Sequence, residues 1–390
     1  VHRPAFPLPN MNGVQPTAVD TLSGLKESQN LTSNRGNIIH AEAPARIFRK
    51  DAVHSGYGNI AKLHSSLGEN FAKRMSKNFD IIILSMANFI RPKVEFDRIL
   101  TAMKSLDGRV PFMVLGAGMQ GNSDISELTP SVREVLSFFN NHALVFGVRG
   151  KFTESWLHAN GYDKAQALGC PSLYSFPQSI LSIDASEVRT KGNRANVMTA
   201  GYLTLKDGHN FQRGKKLAKA MEGVRASYVF QDEFLAYREL AKKPFSFNEG
   251  TNTADAGLLN SALSVQTGAA IDFERYYYFT EASAWRQATL AHDLYLGDRF
   301  HGGVAALQAG QPAIFLAHDT RVQELTDFFG FPRLTIDEFA KMGLADTIDK
   351  YLSDDIIGDF KETYRKRYEA FSMVMANHGL STVANLPEIN

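Results

Sequence analysis

The sequence predicts an α/β protein of two consecutive domains, each a parallel sheet covered by helices. Three observations predict it. The chain has 390 residues, more than one ordinary core accommodates. Hydrophobic residues make up 44% and charged residues 21%, the balance of a water-soluble globular chain. From about residue 37, short apolar runs alternate with helical stretches, the order that covers both faces of a parallel sheet.

The elements follow in order. Residues 1–36 are rich in Pro, Asn, Ser and Gly without a period and read as an irregular arm. An N-terminal α/β domain is expected over 37–188. In it "DIIILSMA" (80–87) reads as a buried strand, a helix follows around 95–106, and "PFMVLGAG" (111–118) is the next strand. "TPSVREVLSFFNN" (129–141) is a helix that Thr129 can cap, with Pro130 in the first position. Strand "ALVFGVRG" (143–150) leads to helix "KFTESWLHANG" (151–161), stopped by Gly161. The polar stretch 184–194 breaks the pattern, and the domain boundary is placed there. A C-terminal α/β domain over 189–336 then carries strands "ANVMTAGY" (195–202), "SYVFQDEF" (227–234), "DLYLG" (293–297) and "PAIFL" (312–316). Helix "TRVQELTDFFG" (320–330) closes it, and residues 337–390 form C-terminal helices.

Charge and cysteine content narrow the function. A net charge of +1 gives no global field for nucleic acid or an anionic membrane, so anion binding must come from a local cluster. The single cysteine, Cys170, is read as excluding a disulfide framework and a cysteine zinc site within one chain. Flanked by a Pro turn, it reads as a buried structural thiol. The longest apolar runs are too short to span a bilayer, and the opening stretch has no apolar signal-peptide core. The expected setting is cytoplasmic, with at most peripheral attachment to the inner face of the membrane.

Two consecutive α/β domains form a cleft where the carboxyl ends of their sheets meet. The strand-to-helix turns deliver Gly116–Gly121, Arg149, Asp298–His301 and His318–Arg321 to it. The set is biased toward cations and glycines, and helix N-termini add unpaired N–H groups. Such a site binds an anion, a phosphate or a carboxylate. His301 falls at a helix N-terminus, where a bound phosphate favours the imidazolium that the helix end disfavours. A histidine there can instead cap a turn. Arg149 ends a strand, suited to two-pronged anion contact, or to pairing with Glu154. Arg321 sits in a first helical turn, against the dipole, which an adjacent anion would offset.

"GAGMQG" (116–121) matches G-x-G-x-x-G only formally. "NSDISEL" separates it from the next helix, and Arg149 stands where a dinucleotide site needs an acid. Gly118 is read as letting backbone approach a ligand or a neighbouring segment. H-E-x-x-H, the P-loop, D-x-D and Cys/His zinc spacing are all missing from the sequence, so no metal and no cofactor is expected.

"DRFHGGVAALQAGQPAIFL" followed by "HDTRVQEL" resembles the C-terminal signature of the polysaccharide pyruvyl transferase family: R-x-H, a small-residue helix, G-x-P, a strand, then a basic residue. "NRGNIIHAEA", "DIIILSMANF", "PFMVLGAGMQG" and "FGVRGKFTESWL" fall in the family's order, so the resemblance covers roughly residues 34–330. It implies two Rossmann-like domains in a GT-B-like arrangement, with phosphoenolpyruvate as donor substrate between them. It implies transfer of the enolpyruvyl group to a sugar of a polysaccharide or its precursor as a cyclic ketal, with release of phosphate. His301 maps onto the catalytic position, and Arg149 and Arg321 onto donor-binding positions. Arg299, Gly302, Gly118 and Asn37 complete the expected binding set, with Arg299 expected to hold the turn and Asp298 to orient Arg299 or cap the helix. The expected partners are phosphoenolpyruvate and a glycan or lipid-linked saccharide acceptor, with no nucleic acid. Two departures stand out. Arg321 replaces the usual Lys, and the N-terminal G-N-x-G-D pattern survives only as Gly36 and Asn37. Three other readings stay open: a GT-B glycosyltransferase using a nucleotide sugar, an oxidoreductase using "GAGMQG", and an anion- or glycan-binding module without turnover.

Overall fold

The computed structural model describes residues 34–48, 59–204, 210–233, 247–248, 253–279, 281–382 and 386. Its centre is a pair of parallel sheets. The first holds β1 (Ile82–Ser85), β2 (Phe112–Ala117), β3 (Phe146–Val148) and β4 (Ala165–Ala167) in the order β1-β2-β3-β4. The second holds β5 (Val197–Thr199), β6 (Ala226–Phe230), β9 (Tyr276–Tyr278), β10 (Leu294–Gly297), β11 (Ala313–Leu316) and β12 (Arg333–Leu334), in the order β12-β11-β10-β5-β6-β9. A short antiparallel hairpin, β7 (Phe247–Asn248) and β8 (Thr253–Ala254), stands apart. The central strands β2, β5, β6, β10 and β11 are buried along their whole length, as apolar runs between two helix layers must be.

Local chemistry sets the helix ends. Thr129 accepts from the Val132 amide and Pro130 opens the helix Pro130–His142, as its sequence predicts. The helix Lys151–Ala159 ends just before Gly161, whose φ of +84° suits a residue without Cβ. Strand β6 stops at Phe230, shorter than the predicted 227–234. Residues Gln231–Glu233 bend away, and Phe234 lies outside the described residues. The polar segment 184–194 lies between the two sheets and carries the short helix Ser186–Lys191.

The predicted arm lies, over residues 1–33, outside the described residues. At Gly36 a helix begins that the sequence pattern did not single out, Gly36–Ile47, with Pro44 inside it. It packs against the helix Phe300–Gln308 of the second lobe and the turn Pro171–Tyr174 of the first. Arg35, just before it, reaches the second sheet and donates from Nε to Tyr278 Oη at 2.7 Å. At the other end, the helix Asp354–Ala376 returns to the first lobe. Tyr364 donates its hydroxyl to the Leu173 carbonyl, and Phe371 stacks on Tyr174 with centroids 4.2 Å apart. A single apolar cluster therefore runs through both lobes, including Ile39, Tyr174, Trp285, Val304, Phe329 and Phe371. The other two clusters lie within one lobe each. Two Rossmann-like lobes facing each other across a cleft, with the last helix crossing back, form the GT-B-like arrangement.

Candidate active site

A cleft of ≈ 1050 Å³ opens between the carboxyl ends of the two sheets. Arg149, Arg299, His301, Arg321 and Asn37 all line it. Arg149 leaves the end of β3, beyond which the helix Lys151–Ala159 turns away. His301 occupies the first turn of the helix Phe300–Gln308, just beyond β10, and Arg321 the first turn of Thr320–Phe329, just beyond β11. Asn37 comes from the first turn of Gly36–Ile47.

Arg149 is buried, at 3% exposure. Its Nη2 donates to Asn88 Oδ1 at 2.6 Å, while Nη1 has no partner. Burial, and then the nearby Arg321 charge, pull its pKa down to about 10, so it remains cationic at neutral pH. Arg321 contacts Asp319 at 3.5 Å, and its buried Nε is likewise unpartnered. Asp319 caps the same helix through the Val322 amide, which offsets the cation in the first turn. Arg149 and Arg321 thus hold buried N–H donors without acceptors, as do Arg299 Nη1 and Arg213 Nη2 on the same cleft, a costly state that an incoming anion would relieve.

Burial holds the His301 imidazole well below its ordinary pKa, and the neighbouring His40, Arg321 and Arg149 add to the effect. The ring is neutral at pH 7. His40 lies beside it, with ring centroids 5.7 Å apart, and burial pushes His40 down to about 4. Cys170 sits between them, its Sγ 3.4 Å from His40 Nδ1 and 3.8 Å from His301 Nε2. The thiol is buried, as the sequence reading expects, but it also lines the cleft.

Several expected site residues take other duties. Arg299 pairs with Asp232 and lies 3.7 Å from Glu233, and its guanidinium stacks on Tyr202 at 3.8 Å. Burial works against its charge, but Glu233, Tyr202 and Asp232 outweigh it and raise its pKa. Asp232 accepts from its Nη2 and the Tyr295 hydroxyl donates to its carbonyl at 2.7 Å, so Arg299 fixes the turn, while its Nη1 remains a buried donor without a partner at the cleft. Asp298 neither orients Arg299 through an ion pair nor caps the helix. It lies 2.7 Å from Arg213 Nε, inside the fold. Gly302 does not face the cleft. A Cβ there would lie 2.6 Å from the Tyr295 ring, so the glycine allows close packing of helix on sheet. Gly118 is also off the cleft wall. A Cβ there would fall 1.7 Å from Arg149 Nε, so its backbone makes room for that side chain. Gly116, with φ of +73°, gives similar room to His40, whose Cε1 would lie 2.7 Å from a Cβ.

Sequence reasoning missed His40, Asn88, Tyr202, Arg213, Gln231 and Glu233, all of which line the cleft. Glu233 has its carboxyl raised to about 7 by burial, against the pull of Arg299. No motif marks these residues; packing alone collects them.

The sequence matches a family profile, described as polysaccharide pyruvyl transferase, over residues 34–320. The chain belongs to the polysaccharide pyruvyl transferase family. Membership makes it an enzyme of polysaccharide pyruvylation, with a pyruvyl donor and a saccharide acceptor. No curated protein matches the sequence. Among solved structures, Anabaena Alr3699/HepE in complex with UDP and glucose is similar at 13% identity, covering 89% of this chain and 95% of that one, TM-score 0.46. A UDP-forming α,α-trehalose-phosphate synthase from Burkholderia xenovorans, in complex with glucose-6-phosphate, follows at 11% identity, 92% and 83% coverage, TM-score 0.46. S. aureus MnaA with UDP shows 11% identity, 85% coverage of each chain and a TM-score of 0.42. Among the described residues of this pyruvyl transferase family member, no helix is long and apolar enough to cross a membrane.

Proposed function

We propose that the protein transfers the enolpyruvyl group of phosphoenolpyruvate to a sugar of a polysaccharide or its precursor, forming a cyclic pyruvate ketal and releasing phosphate. The observation that carries this reading is the pair of arginines from opposite lobes, Arg149 and Arg321, each with an unpartnered buried N–H beside the neutral His301. Phosphoenolpyruvate presents a carboxylate and a phosphate on a small planar enol. Two guanidinium groups and a helix N-terminus match that charge pattern, each charge-assisted hydrogen bond contributing about 1.5–3 kcal/mol.

In the proposed reaction one sugar hydroxyl adds to C2 of the enol while C3 takes a proton and becomes a methyl group. The C2–O bond to phosphate then breaks, and a second hydroxyl of the same sugar adds to C2. The two hydroxyl protons balance the one gained by C3 and the one carried off by phosphate. Arg149 and Arg321 hold the negative charge that builds on the departing phosphate. His301 is the proton donor: burial first, and then His40 and the arginines, keep it neutral in the free protein, and the bound anion works against them, so donor binding itself charges the ring. Asn37, at the cleft wall, is assigned to acceptor contact.

The test follows phosphate release from phosphoenolpyruvate over a panel of acceptor glycans. His301→Ala and Arg149→Ala are each expected to lower turnover by at least about 100-fold while the protein stays folded. Wild-type turnover in His301→Ala would refute its role. Consumption of a nucleotide sugar, with phosphoenolpyruvate untouched, would favour the glycosyltransferase alternative.

A further inference from the structure

His40, Cys170 and His301 come from three distant parts of the chain: the helix Gly36–Ile47, the loop after β4, and the helix Phe300–Gln308. Their nitrogen and sulfur donor atoms all lie within 4.8 Å of one another. Two of the three donor separations, 3.4 Å from His40 Nδ1 to Sγ and 3.8 Å from His301 Nε2 to Sγ, lie close to the spacing of a metal's ligands. Tetrahedral coordination with metal–nitrogen bonds of about 2.0–2.1 Å and a metal–sulfur bond of about 2.3 Å puts neighbouring donors about 3.5 Å apart.

We propose that His40, Cys170 and His301 form a binding site for one thiophilic transition-metal ion of the zinc class, with a fourth position open to the cleft. The donor set selects that class. Two imidazoles and a thiol, with no carboxylate among them, suit zinc, cobalt or cadmium and reject magnesium or calcium. The ligands are available. Burial keeps both rings neutral at pH 7, so each offers a lone pair rather than a proton. Binding breaks the Cys170 S–H bond, sends the proton to solvent and forms the metal–sulfur bond. Burial raises the Cys170 thiol above its ordinary range, and the Ser172 hydroxyl, with Oγ 2.9 Å from Sγ, and the positive charge of Arg149 work against that, so the metal itself must displace the proton. The same arginine would repel a bare dication. The net charge at the site is reduced by the thiolate and by an anionic fourth ligand from solvent, for which Arg149 and Arg321 hold unpartnered donors. The inference does not rest on the donor assignment above: a His301 ring that ligates a metal cannot at the same time be the charged proton donor, so the metal-bound form is one in which that proton transfer is blocked, and metal binding is read without turnover.

The test uses the full chain, stripped of metal and titrated with Co²⁺. Cys170 is the sole cysteine, so a cobalt–thiolate charge-transfer band reports this site alone. The expected result is a band that saturates at one equivalent, is erased by Zn²⁺ and is unmoved by Mg²⁺. It should be absent in Cys170→Ser. In His301→Gln and in His40→Gln, binding should weaken by at least about tenfold. Circular dichroism checks that each variant is folded, and His301→Gln, at the cleft wall, carries the test if His40→Gln does not fold. No thiolate band from wild-type protein with cobalt in large excess would overturn the proposal. So would a midpoint unchanged in folded His301→Gln.

Discussion

At His301 the electrostatics of the free protein run against the proton that the proposed transfer needs. Burial, His40, Arg321 and Arg149 all depress the ring, so it is neutral at pH 7. Binding a phosphate and a carboxylate reverses the local field and raises its affinity for a proton. Donor binding at pH 7 should therefore take up a proton. Calorimetry in buffers of different ionisation enthalpy measures that uptake directly, and it should vanish in His301→Gln. Equal heats in every buffer would argue that His301 stays neutral and that another group supplies the proton. His40 tells a related story about stability. Its pKa falls from 6.5 to about 4 on folding, so the folded state binds fewer protons between those values. Its contribution, about 3 kcal/mol at most, is present above pH 6.5 and is lost as pH falls through about 4.

Among the elements, the helix Lys151–Ala159 is capped from the opposite lobe. Glu324, on the helix Thr320–Phe329, accepts from the Thr153 amide at 2.6 Å and from the Thr153 hydroxyl at 3.0 Å. Gly150 makes the approach possible, since a Cβ there would lie 2.4 Å from Glu324 Cγ. The contact ties the element next to Arg149 to the element that carries Arg321. Glu324→Ala should lower stability by about 1–3 kcal/mol, read as a shifted midpoint of denaturant unfolding. An unchanged midpoint would show that the contact does not hold the lobes. The sequence makes local caps legible and long-range ones not. Thr129 and Pro130 announce their helix because cap and helix are neighbours in the chain. Glu324 carries no such mark, because its partner lies in the other lobe. For the same reason the strand-end positions of Arg149, His301 and Arg321 were legible, while His40, Asn88 and Tyr202 were not. Gly302 reads as a ligand contact but instead gives room to the Tyr295 ring, whereas Gly118, read as admitting a ligand or a neighbouring segment, admits the neighbour Arg149.

Across the whole molecule, the two lobes share one apolar cluster that the crossing helices Gly36–Ile47 and Asp354–Ala376 complete. This shared core sets how Arg149, from the first lobe, faces His301 and Arg321, from the second. The cleft of ≈ 1050 Å³ exceeds what a small enol ester fills, leaving space for a saccharide beside it. Alternating strand and helix patterns made the central strands of both sheets readable from sequence, while the short edge strands β4, β9 and β12 were not, because two or three residues carry no period. The two crossings were not, because no periodicity records which lobe an amphipathic helix will join. The central claim is that both lobes together grip phosphoenolpyruvate, and calorimetric titration of the donor into wild-type protein and into Arg149→Ala and Arg321→Ala tests it most directly. The account expects saturable one-to-one binding to wild type, weakened by at least about tenfold in each variant, in line with the loss of a charge-assisted hydrogen bond. Wild-type affinity retained in both variants would contradict it.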